Sequence, residues 1–135
     1  MARILLVDRD EAFATALVSI LSAAGHVVEW SDTAMGAMLD FAVQTPFDLV
    51  ITDLLAPELD GFDLIVAVKE SRPATPVLAL FQPQAVTRFD QALIARALGA
   101  SSTFAKPVEP ASVAALVETL FQPPAVDRPL SRSGQ

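Results

Sequence analysis

Short apolar runs alternate along this chain with stretches whose apolar residues recur at helical spacing. The runs at 3–7, 27–30, 49–52, 77–81 and 102–105 are strand-length, and the unbroken Leu49-Val50-Ile51 predicts a strand buried on both faces of a parallel sheet. Between the first two, Phe13, Leu17, Ile20, Leu21 and Ala24 share one helical face, with Asp10 and Glu11 in the first turn and Gly25 as a stop. Met35, Met38, Leu39 and Ala42 predict a second helix, and Leu64, Ile65 and Val68 a third. Phe89, Leu93 and Ala97 predict a fourth, and Val113, Leu116, Val117, Leu120 and Phe121 a fifth that begins near Pro110. This alternation predicts a layered α/β fold on one parallel sheet. Right-handed crossovers are expected to put successive helices on alternate faces. Trp30 and the Met35/Met38 pair read as core or edge packing, and His26 as a solvated side chain.

Helical patterning stops at Phe121. Residues 122–135 contain Pro123, Pro124 and Pro129 and read as a flexible tail or linker, which leaves one domain over residues 1–121. Hydrophobic residues make up 53% of the chain. No apolar run approaches the ~20 residues of a membrane span, so that content belongs to a core or an interface. The chain opens directly on an apolar strand without a secretory pattern, and the expected location is cytoplasmic.

A formal net charge of −7 and a pI near 4.4 argue against direct nucleic-acid binding, which needs a basic stripe to displace phosphate counterions. There is no cysteine and one histidine, so a metal would have to be held by oxygen. Charged residues do gather at strand ends: Asp8 to Asp10 after the first strand, Asp53 after the third and Lys106 after the fifth. The C-terminal edge of an open α/β sheet is where ligands and chemistry sit. Carboxylates converging there repel unless a cation lies among them, and the absence of soft ligands points to Mg²⁺. Lys106 supplies a second, fixed positive charge.

Asp8, then Asp53, Pro57, Asp60 and Gly61 in the spacing Asp-x-x-x-Pro-x-x-Asp-Gly, then Lys106-Pro107, resemble the receiver domain of two-component response regulators over about residues 2 to 121. The resemblance implies a flavodoxin-like, doubly wound (βα)5 three-layer sandwich with strand order 2-1-3-4-5. It implies that Asp53 takes a phosphoryl group from a sensor histidine kinase, a phosphotransfer protein or a small phosphodonor, as a signalling domain and not an enzyme. Lys106 would neutralise charge on the phosphoryl group, and Asp8, Asp53 and the Leu55 backbone carbonyl would bind Mg²⁺. Pro57, Gly61 and Pro107 would shape the turns. It also implies a possible homodimer through the face of the fourth helix, fifth strand and fifth helix, carrying Phe89, Leu93, Val113 and Val117.

Three positions depart from that pattern. Arg9 stands where the family has the second acid of its pair, which should weaken Mg²⁺ binding; its guanidinium is able to bring charge near Asp53 but not to coordinate two oxygens as a metal does. Asp10 is an alternative ligand if the loop shifts. Phe81 replaces a Ser or Thr hydroxyl at the end of the fourth strand, and Thr103 occupies the aromatic switch position, with Phe104 one place away and turned inward by strand alternation. These departures support an alternative: a phosphorylation-independent pseudo-receiver that acts as a protein-interaction module. A remote third reading is a haloacid-dehalogenase-like phosphatase, which the opening Leu5-Leu6-Val7-Asp8-Arg9-Asp10 also resembles, with Asp8 as nucleophile and Asp10 as general acid.

Overall fold

Strands and helices alternate along the chain in a computed structural model that describes residues 1–43, 46–54, 61–83 and 90–122. The order is β1 (Arg3–Val7), α1 (Glu11–Ala23), β2 (Val27–Ser31), α2 (Ala34–Val43), β3 (Leu49–Asp53), α3 (Gly61–Ser71), β4 (Val77–Phe81), α4 (Gln91–Leu98), β5 (Ser102–Ala105) and α5 (Pro110–Phe121). The five strands form one parallel sheet in the order β2-β1-β3-β4-β5.

Two cores flank the sheet because side chains alternate across it. Ile4, Leu6, Leu49, Ile51, Leu78 and Leu80 meet α1 and α5 on one face. Leu5, Val7, Val50, Val77 and Ala79 meet α2, α3 and α4 on the other. The helices therefore do not alternate faces in succession as expected. With one handedness throughout, the side a helix takes depends on the direction the sheet grows: β1 to β2 runs one way, while the next three connections run the other. α1 therefore lies alone on its face until α5 folds back beside it.

The helix faces differ in places from those expected. On α2 the residues that bury completely or nearly so are Ala34 and Ala37, while Met35 and Leu39 are exposed and Met38 packs at the core margin. On α4 Ala95 is buried and Leu93 lies outward. Small side chains let these helices lie close to the sheet. On α5, Val113 and Val117 are fully buried, which removes both from the surface face expected to dimerise. Phe89 lies outside the described residues.

His26 is buried, not solvated. Its Nδ1 accepts the Ala2 N–H at 3.0 Å and its Nε2 meets Glu118 Oε2 at 2.7 Å. A backbone N–H only donates, so Nδ1 is the unprotonated nitrogen and Nε2 donates to the carboxylate. The ring thereby ties β1 and the start of β2 to α5.

Candidate functional site

Register brings the strand-end charges together. Val7 pairs with Thr52 across β1 and β3, so Asp8 follows beside Asp53. Both aspartates share the strand parity of Leu6 and Ile51, which directs them to the α1/α5 face. Phe81 pairs with Ala105, and the Lys106 N–H donates to the Phe81 carbonyl at 2.7 Å, fixing the lysine just past the edge of β5. The Lys106–Pro107 peptide is cis.

Lys106 Nζ donates to Asp8 Oδ1 at 3.1 Å, to Asp8 Oδ2 at 2.9 Å and to Asp53 Oδ2 at 3.1 Å. It also lies 5.1 Å from the centre of the Phe13 ring, a cation–π distance. Asp8 is 1% exposed and Asp53 9%, so both carboxylates are largely withdrawn from water. Burial pushes the Asp8 carboxyl above its ordinary value; the Asp10 N–H and Lys106 oppose the shift, and the charge of Asp53 adds to it. For Lys106, burial pulls the ammonium down, but the hydrogen bond with Asp8 and the charges of Asp53 and Asp8 outweigh it and leave the group raised. The lysine is firmly protonated, and Asp8 carries its charge at a cost.

The other residues of the β1–α1 turn take different places. Asp10 is the N-cap of α1: its Oδ1 accepts the Phe13 N–H at 3.1 Å, and its own N–H donates to Asp8 Oδ1 at 2.9 Å. Arg9 is exposed, and the cation between the two carboxylates is Lys106. A cleft of about 210 Å³ opens beside Lys106, lined by Asp10, Phe13, Gln82, Pro107 and Val108. Phe81 packs against the α2–α4 core and Phe104 against the α1/α5 core, while Thr103 Oγ1 faces Arg96 of α4 at 3.5 Å. Gly61, at the start of α3, packs so tightly on the end of β3 that a Cβ there would lie 2.6 Å from the Asp53 carbonyl oxygen. Leu55, Pro57 and Asp60 lie outside the described residues.

Sequence reasoning missed Trp30. Its Nε1–H donates to the Asp8 carbonyl at 2.9 Å. No periodicity links these residues; only the parallel pairing of β1 with β2 does, which sets Leu6 beside Trp30.

Two carboxylates and a lysine at the C-terminal edge of a 2-1-3-4-5 sheet define an α/β signalling domain of the phosphoacceptor class. Residues 4–118 match the model of the response regulator receiver domain, and the chain belongs to that family. It is 34% identical over 108 residues to the DNA-binding transcriptional regulator NtrC of Rhizobium meliloti (strain 1021), covering 80% of this chain and 22% of that protein. It is also 34% identical over 116 residues to the response regulator protein FleR of Pseudomonas aeruginosa, covering 86% of this chain and 24% of that one. The chain thus spans about a quarter or less of these relatives' lengths. Among solved structures, a CheY-like receiver domain protein from Methanospirillum hungatei JF-1 superposes with a TM-score of 0.79 at 23% identity, covering 89% of this chain and 93% of that one.

Membership makes residues 4–118 a receiver domain of two-component response regulators, a class of signalling phosphoacceptors and not of catalytic enzymes, which overturns the phosphatase reading. Asp10, expected there as a general acid, is committed to capping α1. Receivers pair with histidine kinases and typically use Mg²⁺. No helix among the described residues is long and apolar enough to cross a membrane.

Proposed function

We propose that Asp53 is the phosphoacceptor and Lys106 its charge partner. The observation that carries this reading is the Lys106 ammonium between Asp53 and Asp8. An Asp53 carboxylate oxygen attacks the phosphorus of a kinase or phosphotransfer phosphohistidine, or of a small acyl phosphate. The new O–P bond forms as the P–N or P–O bond to the donor breaks, and the leaving group departs with the bonding pair. Lys106 stays protonated and offsets charge on the transferred group. The donor is a cytoplasmic protein or small phosphodonor, and the cleft lined by Lys106 opens on the same edge of the sheet.

The donor set suits Mg²⁺ only in part. Asp8 and Asp53 converge on one cation, but Arg9 replaces a third carboxylate, Asp10 is held as a cap, and no cluster of three acids exists among the described residues. Asp8, Asp53 and the Leu55 carbonyl are the ligands we assign, at reduced affinity. When bound, the ion draws negative charge from the phosphoryl oxygens.

Arg9, Phe81 and Thr103 make this an atypical receiver, and they support a second reading as a phosphorylation-independent interaction module. Phe81 offers no hydroxyl to a phosphoryl group, and its ring is committed to the core. In either reading we take the domain as residues 1–121; the expectation of a tail or linker over 122–135 falls almost wholly outside the described residues. The α4–β5–α5 face offers exposed Leu93 for self-association, without Val113 and Val117.

Intact-protein mass after incubation with acetyl phosphate or phosphoramidate, with and without Mg²⁺, separates the two readings. One phosphate on wild type, absent from Asp53→Asn, supports the acceptor. No adduct on wild type, with one gained by Arg9→Asp, supports the interaction module.

A further inference from the structure

Trp30 is the chain's single tryptophan, and it is 40% exposed on the edge strand β2. A half-exposed indole leaves much of its apolar surface in water, and its N–H could bond water as well as protein. Here that N–H donates to the Asp8 carbonyl, while the next residue's carbonyl, Ser31 O, accepts the Asp8 N–H at 3.1 Å. Two consecutive residues of β2 therefore hold both backbone polar groups of Asp8. The Asp8 carboxylate is fixed in turn by the Asp10 N–H and by Lys106.

We propose that Trp30 is a positioning residue for phosphoryl transfer to Asp53, acting through Asp8 and Lys106. This rests on the reading of Asp53 as the acceptor. The three hydrogen bonds of the Lys106 ammonium go to Asp8 Oδ1, Asp8 Oδ2 and Asp53 Oδ2. With two of the three on Asp8, the place of that carboxylate decides where the ammonium sits relative to Asp53. Asp8 is the first residue past β1, at the start of a turn, and the indole is the side chain that ties its carbonyl back to the sheet. Releasing it lets the turn shift, and displacements near 1 Å in a phosphoryl-transfer site cost up to about 100-fold in rate.

Two measurements test this. Trp30→Phe keeps an aromatic ring and removes the N–H. Its labelling by phosphoramidate, followed by intact mass over a range of donor concentrations, is expected to slow about tenfold at saturating donor with the half-saturating concentration unchanged. The second reads the wild-type indole directly, as the single ¹H–¹⁵N indole cross-peak of the chain. Lys106→Arg keeps the charge but not the ammonium geometry and is expected to move that peak; Glu118→Gln, at the opposite end of the sheet, is expected to leave it in place. Unchanged labelling of Trp30→Phe, or a cross-peak unmoved by Lys106→Arg, overturns the proposal. If wild type takes no phosphoryl group, the acceptor reading fails, and the clamp on Asp8 is decided by the cross-peak.

Discussion

Lys106 grips both oxygens of Asp8 and reaches Asp53 through Oδ2, so the lysine is anchored more by the neighbouring acid than by the proposed acceptor. Removing it leaves two nearly buried carboxylates side by side without that cation. Lys106→Met is expected to lose about 3–5 kcal/mol at pH 7, the range for breaking one side of a buried ion pair. Urea unfolding measures this, and adding Asp8→Asn to the variant is expected to restore much of the loss. A double variant as unstable as Lys106→Met alone would show that the two carboxylates are not what the lysine holds in check.

Asp8 gives the fold a pH dependence whose sign follows from its environment. Burial, then the opposing Asp10 N–H and Lys106 bonds, then the Asp53 charge leave its pKa above 3.8 in the folded state. The folded chain thus binds this proton more tightly than the unfolded chain, so the contribution favours folding below 3.8 and is lost as pH rises through the shifted value. Lys106 is also raised, so its contribution is present below 10.5 and lost only above it, in a separate window. Asp8→Asn, which resembles the protonated acid, is expected to melt higher than wild type at pH 7, with the gap closing toward pH 3. A variant that melts lower at pH 7 would mean that the Lys106 bonds outweigh the cost of burial.

Much of the fold was legible because parallel strands buried on both faces appear as unbroken apolar runs; each observed strand lies within one residue of its expected bounds. The convergence of Asp8, Asp53 and Lys106 followed from their strand-end positions. Helix faces were less legible where small residues do the packing. Large side chains dominated the pattern of α2, yet Leu39 is 61% exposed while Ala37 is fully buried. The bonds of Trp30 and His26 were not legible for another reason. Each acts through a hydrogen bond to a residue more than twenty positions away, which periodicity does not encode.

Gly61 couples the backbone of α3 to Asp53. A Cβ there would meet the Asp53 carbonyl oxygen at 2.6 Å and Leu54 Cα at 2.9 Å, both backbone atoms unable to swing aside. Gly61→Ala is expected to destabilise the domain by about 1–3 kcal/mol, the usual cost of overpacking, despite the better helix propensity of alanine. Because the displaced atoms belong to Asp53 and its neighbour, labelling by acetyl phosphate should fall as well. Wild-type stability together with wild-type labelling would show that α3 moves away at no cost.

His26 tests whether the far edge of the sheet depends on one acceptor atom. Nδ1 is the partner of the Ala2 N–H, and Ala2 is buried, so deleting the ring strands that donor. His26→Ala is expected to cost about 1–3 kcal/mol for the unsatisfied group, before any loss of packing. His26→Asn places an amide oxygen near the position of Nδ1 and should recover a substantial part. Glu118→Gln should change stability by less than about 1 kcal/mol, because the carboxylate side chain is 44% exposed and screened by water. Urea midpoints of the three variants separate the contributions: if His26→Asn falls as far as His26→Ala, the packing of the ring, and not its acceptor nitrogen, holds β1 and β2 to α5.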